Sequence, residues 1–97
     1  SGGNLQKFVV GREFTKEPRL IICEQPTWGV DAGSASMIHQ FLLEKVNKGS
    51  SIVVISQDID ELMKISHRMG IISNGRLSKL YKTDDISSQD IALEMAS

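Results

Sequence analysis

Two short runs of mostly branched apolar residues, Leu20-Ile21-Ile22-Cys23 and Ile52-Val53-Val54-Ile55, constrain the fold more than any other feature of the chain. Neither run alternates apolar with polar residues, and each is too short for a separate helix, so both read as buried strands of a parallel sheet. Between them Pro26-Thr27-Trp28-Gly29-Val30-Asp31-Ala32-Gly33 supplies turn chemistry. A helical face of Ile38, Phe41, Leu42 and Val46 follows, with Glu44 set four residues before Lys48 and Gly49 placed as a left-handed cap. Strand, helix and strand in this order define an α/β arrangement. Parallel strands of this kind need neighbours and helical cover on both faces, and two such strands are too few. Further strands are therefore expected before Ser1, and a chain of this span by itself is expected to be marginally stable or to form a homo-oligomer.

The rest of the chain is patterned for small elements. Leu5, Phe8 and Val9 recur at i, i+3 and i+4, with Lys7, Arg12 and Glu13 for the wet side, which predicts a short amphipathic helix over residues 4–15, stopped by Pro18. After the second apolar run, Ser56-Gln57 gives way to Asp58-Ile59-Asp60-Glu61, a capping box that opens a helix faced by Ile59, Leu62 and Met63. Residues 69–72 and 77–81 flank Asn74-Gly75, a strong two-residue hairpin signal. Ser87 is placed to cap a last short helix, with Ile86 and Ile91 spaced as its hydrophobic staple.

Ninety-seven residues make one small domain at most. Eleven basic and twelve acidic residues leave a net charge of -1, without the single-sign excess of nucleic-acid or anionic-membrane binders, so no nucleic-acid partner is expected. Cys23 is the only cysteine and lies inside an apolar run, where it reads as a small buried hydrophobe in a reducing, cytosolic setting. The chain opens on Ser1-Gly2-Gly3-Asn4 without an initiator methionine or a signal-like pattern, the kind of junction expected inside a longer protein.

Four segments fall in one order: Ser1-Gly2-Gly3-Asn4; Leu20-Ile21-Ile22-Cys23-Glu24-Gln25-Pro26-Thr27; Gly29-Val30-Asp31; and Ile52-Val53-Val54-Ile55-Ser56-Gln57. Together they resemble the signature motif, Walker B strand, D-loop and switch loop of an ATP-binding-cassette (ABC) ATPase. The extended forms Ser-Gly-Gly-Asn-Leu-Gln-Lys and Pro-Thr-Trp-Gly-Val-Asp look most like the second nucleotide-binding half of bacterial sugar and nucleoside importers. The resemblance covers about residues 1–80. It implies a partial RecA-like P-loop NTPase core, with parallel strands, flanking helices and a C-terminal β-hairpin. Residues 1–97 would then run from the signature motif to the C-terminus of one nucleotide-binding domain, without its Walker A part.

The resemblance also assigns roles that each residue type can physically fill. Ser1, Gly2, Gly3 and Asn4 would place a hydroxyl and unobstructed N–H groups at a helix N-terminus, against ATP held by the opposite nucleotide-binding half. Asn4 stands where many family members have glutamine, and keeps the amide. Glu24 would face Mg²⁺, directly or through water, where the family normally has aspartate. Gln25 occupies the position of the catalytic glutamate and Gln57 that of the switch histidine. An amide can orient water or donate a hydrogen bond but cannot take a proton, so both point to a degenerate site. Asp31 reads as an ordinary cap or turn residue and, by the resemblance, as the D-loop aspartate that crosses the dimer interface, two compatible readings. No Gly-x-x-x-x-Gly-Lys-[Ser/Thr] loop occurs in the chain, so ATP and Mg²⁺ belong to the intact protein and no tight binding is expected here.

The implied parent is an ATPase subunit that couples ATP binding and hydrolysis to import of a sugar or nucleoside. It would sit peripherally on the cytoplasmic face of the inner membrane and pair with a second nucleotide-binding half and with membrane-spanning permease subunits. The alternative is a non-enzymatic α/β module for dimerisation or partner docking that keeps relic ATPase motifs. A third reading, a DNA-repair or translation ATPase, fits the sugar-type signature less well. Trp28 reads equally as a partner-facing anchor or as a ring folded over its own domain. His39 and His67 lack a second ligand at a chelating spacing, and Met37, Met63, Met69 and Met95 read as core filler and helix-edge contacts.

Overall fold

Strand β2, Leu20–Glu24, and strand β3, Ser51–Ile55, pair in parallel with Ile21 opposite Ile52 and Cys23 opposite Val54. A computed structural model describes residues 7–11 and 19–96, and the chain divides into two compact units, Ser1–Gln57 and Asp58–Ser97. In the first unit the sheet order is β1-β2-β3, where β1 is Lys7–Gly11. Between β2 and β3 the chain forms helix α1, Ala32–Asn47. Its Ile38 and Leu42 pack on Ile21, Cys23, Ile52 and Val54, so one face of the parallel pair makes the core. Ile21 and Cys23 are buried almost completely, whereas Leu20, Val53 and Ile55 stay partly exposed.

Both ends of α1 follow from local chemistry. Asp31 is the N-cap, its carboxylate accepting from the Ser34 N–H at 2.7 Å. At the other end Gly49 N–H donates to the Val46 carbonyl and Ser50 N–H to the Lys45 carbonyl, a pair that closes the helix as a Schellman motif. Gly49 has φ +102°, a backbone conformation that side chains resist, as the sequence reading of a left-handed cap expects.

The helix expected over residues 4–15 is corrected at Lys7–Gly11, a strand that pairs antiparallel with β2 from Lys7 opposite Glu24 to Gly11 opposite Leu20; its other positions lie outside the described residues. The segment Lys7-Phe8-Val9-Val10-Gly11 ends in glycine, costly in a helix, and its aromatic and β-branched residues suit a pleated edge. The backbone groups along the side of β2 away from β3 also need partners, and a strand supplies them in a continuous ladder.

In the second unit helix α2, Ile59–Ile65, starts at the Asp58 cap, whose carboxylate accepts from Glu61 N–H at 3.1 Å. Next come the paired strands β4 (Arg68–Met69) with β7 (Tyr81–Lys82) and β5 (Ile72–Ser73) with β6 (Arg76–Leu77). Asn74 and Gly75 turn the hairpin with φ of +53° and +75°, the two positive values of a type I′ turn. Helix α3, Ser88–Ala96, is capped reciprocally: Ser87 Oγ accepts from Asp90 N–H, and Asp90 Oδ2 from Ser87 N–H. Met69, Ile71, Ile86 and Ile91 form this unit's core, with Ile59, Leu62, Met63 and Tyr81 against it. Met63 and Met69 thus fill the core as expected, while Met37 and Met95 lie exposed on helix surfaces.

Candidate functional site

The C-terminal edge of the β2/β3 pair gathers three of the polar residues singled out by the sequence, Glu24, Gln25 and Gln57, together with Ser56. Glu24 and Ile55 form the last register pair, and the ladder continues one step as Gln25 N–H donates to the Ile55 carbonyl at 2.7 Å. Gln25 takes φ +50°, uncommon for a residue with a side chain, at a cost of about 1 kcal/mol or more. Two bonds hold it there: the ladder bond and the turn bond from Trp28 N–H to the Gln25 carbonyl at 3.1 Å. Pro26, fully buried, anchors the same turn.

Directly across, Ser56 follows β3 as Gln25 follows β2, and its Oγ–H donates to Gln25 Oε1 at 3.3 Å. Glu24 and Gln57 are exposed at the ends of the same two strands. Open α/β sheets bind ligands at this kind of edge, where strands end and loops begin. Glu24, Gln25 and Gln57 are expected here from the sequence, in which Ser56 stands only as part of a loop. The signal for Ser56 was the equal position of Gln25 and Ser56 after two paired strands, which becomes visible once the register is known.

Asp31 lies at the far end of the turn and caps α1. The Ser34 backbone N–H bond, then the Ser34 side chain, hold its carboxyl below the usual aspartate range. Trp28 is 71% exposed, which decides between its two readings in favour of an outward ring. Cys23 is fully buried and burial pushes its thiol up to about 11, an inert core residue as expected. Ser1, Gly2, Gly3 and Asn4 lie outside the described residues.

Among the described residues no group of three His, Cys, Asp or Glu side chains is arranged to hold a metal ion. The hard oxygens of Glu24 nevertheless fit Mg²⁺, which is commonly held by one or two carboxylates with the rest of its shell from phosphates and water. Among the described residues no helix is long and apolar enough to cross a membrane.

A parallel pair covered by a helix, carrying acid and amide side chains at its C-terminal edge and followed by antiparallel hairpin strands, defines a mixed α/β chain of partial P-loop NTPase-like core. No family model matches the chain. Over its whole length it is homologous to the ATP-binding proteins of ABC-type sugar and nucleoside importers. It is 38% identical over 97 residues to the galactose/methyl galactoside import ATP-binding protein of Vibrio vulnificus, covering all of this chain and 19% of that one. The guanosine import ATP-binding protein of Bacillus subtilis is 35% identical over 96 residues, 99% of this chain and 19% of its own length. The glucose import ATP-binding protein of Haloferax volcanii is 36% identical over 95 residues, 98% of this chain and 17% of its own. The chain thus spans about a fifth of these relatives.

Proposed function

We propose that the chain is the C-terminal part, from signature motif to C-terminus, of one nucleotide-binding domain in an ABC importer's ATP-binding subunit. The subunit couples ATP binding and hydrolysis to uptake of a sugar or nucleoside. The observation that carries this reading is the end-to-end match to import ATP-binding proteins named for guanosine, glucose and galactose. In the intact protein a second nucleotide-binding half and the permease subunits complete the assembly at the cytoplasmic face of the membrane. Glu24 serves Mg²⁺, while Gln25 and Gln57 replace a base and a cationic donor with amides. The site whose Walker B strand is β2 therefore holds nucleotide and hydrolyses it slowly, and Ser1 to Asn4 complete the competent site of the other half.

The test is ATP turnover by the full-length product of the gene that encodes this chain. Gly2→Asp puts a carboxylate against the phosphate and abolishes turnover; Gln25→Ala costs far less. Equal losses from the two substitutions contradict the asymmetry, and a wild-type protein that neither binds nor hydrolyses ATP leaves the docking-module reading.

A further inference from the structure

Asn74 and Gly75 form the turn of the β5–β6 hairpin, and the same pair carries a chemistry that the turn does not use. Both residues are exposed at the hairpin tip. Gly75 has no Cβ, so its backbone nitrogen is the least hindered that can follow an asparagine, and its attack on Asn74 Cγ closes a five-membered ring. The closed type I′ turn holds the backbone away from the arrangement that ring needs, so the reaction requires the tip to open. Little holds it shut. Strands β5 and β6 are two residues each, joined by the pairs Ile72 with Leu77 and Ser73 with Arg76, and the apolar pair is largely exposed. Below them Ser78 grips Ile71 through its N–H at 2.8 Å and its Oγ at 2.9 Å, which keeps an opening from spreading into the rest of the unit. The tip is thus a short stretch that opens locally while the unit stays folded.

We infer that Asn74 is a site of spontaneous covalent modification, at which the chain converts its own side-chain amide to an acid. The Gly75 nitrogen gives up its proton to solvent base and bonds to Asn74 Cγ; the Cγ–Nδ2 bond breaks and ammonia leaves. Water then opens the cyclic imide at one of its two carbonyls, and no oxidant or reductant takes part. Opening at Cγ yields aspartate, which keeps the chain length, and Asp-Gly is itself a favoured type I′ pair. Opening at the backbone carbonyl yields isoaspartate, which adds a methylene to the main chain between positions 74 and 75. A two-residue loop lengthened in this way no longer closes the turn, so the isoaspartate form loses the register of Ile72 with Leu77 and Ser73 with Arg76. The modification unties the hairpin tip and leaves the unit's core in place.

Ageing of the full-length protein in mildly alkaline buffer, followed by trypsin digestion and mass spectrometry of the peptide of residues 69–76, tests the site. The peptide gains the mass of an amide exchanged for an acid and separates into two forms, the larger being isoaspartate, labelled by protein isoaspartyl methyltransferase. The native protein reacts about tenfold slower than the same protein in urea, as a tip open part of the time requires. In urea Gly75→Ala slows the reaction about tenfold, through the Cβ beside the attacking nitrogen. Brief trypsin treatment of the folded protein cuts after Arg76 faster in aged than in fresh wild type, and the cut is unchanged by ageing in Asn74→Asp, which has no amide to lose. A peptide that reacts in urea but gains no mass in native protein aged about a hundred times as long overturns the site, by showing that the turn does not open. Aged wild type that carries isoaspartate and is cut no faster than fresh protein overturns the untying of the hairpin.

Discussion

Thr83 is 6% exposed, and among the described residues its Oγ1 is a buried polar atom without a hydrogen-bond partner. Its backbone N–H is satisfied by the His67 carbonyl at 3.0 Å, so the hydroxyl alone carries the cost of burial. Thr83→Val keeps the side-chain shape and removes that cost, and is expected to raise stability by about 1 kcal/mol, read as a higher midpoint in urea denaturation. Asp31 gives the opposite lesson, a polar group in demand. Its carboxyl is held below the usual range by the Ser34 backbone bond, so its contribution is complete above the unfolded-state value near ~3.9 and is lost as pH falls through the lower folded value. Asp31→Asn, which still caps but does not titrate, should flatten the denaturation midpoint between pH 5 and pH 3. A wild-type midpoint that ignores pH over that range contradicts the capping role.

Helix α1 is closed by one residue with a positive φ, and the hairpin ladders are joined by the hydrogen bonds of one serine. Gly49→Ala forces a side chain into φ +102° at the Schellman closure of α1 and should cost about 1 kcal/mol, measured by the same denaturation series. In the hairpin the two ladders are joined by Gly70-Ile71 on one arm and Ser78-Lys79-Leu80 on the other, leaving one extra residue on the second arm. Ser78 manages that bulge: its N–H donates to the Ile71 carbonyl at 2.8 Å, its Oγ accepts from Ile71 N–H at 2.9 Å, and its hydroxyl donates to Lys79. Ser78→Ala removes the acceptor for Ile71 and is expected to cost about 1–2 kcal/mol. Strand β1 is the element where local pattern misled. Leu5, Phe8 and Val9 fit a helical period, but a short window holds few residues, and pairing along β2 outweighed a weak local preference.

For the molecule as a whole, the sheet is informative on the face that α1 does not cover. Residues of a parallel sheet normally bury both faces, yet Val53 and Ile55 are 47% and 46% exposed and Leu20 is 36% exposed. An apolar strip of this kind in a chain spanning about a fifth of its relatives predicts concentration-dependent self-association of the 97-residue segment. Light scattering over a tenfold dilution checks it, and Val53→Lys should shift the population toward monomer. A segment that stays monomeric at high concentration shows that the strip tolerates solvent.

The features that could be read along the chain depend mostly on near neighbours. The two apolar runs became β2 and β3, Asp58 and Ser87 became caps, and Asn74-Gly75 became the hairpin turn, because each depends on the conformational preferences of a few adjacent residues. The acid and amides at the candidate site were singled out instead by the resemblance of their segments to the ATP-binding-cassette motifs. Packing alone fixed the outward Trp28 and the pairing between distant segments: β1 as a strand, and the bond from Ser56 to Gln25, 31 positions apart. The register of two strands sets such contacts, and register is a property of packed faces and shared ladders rather than of any local stretch of residues.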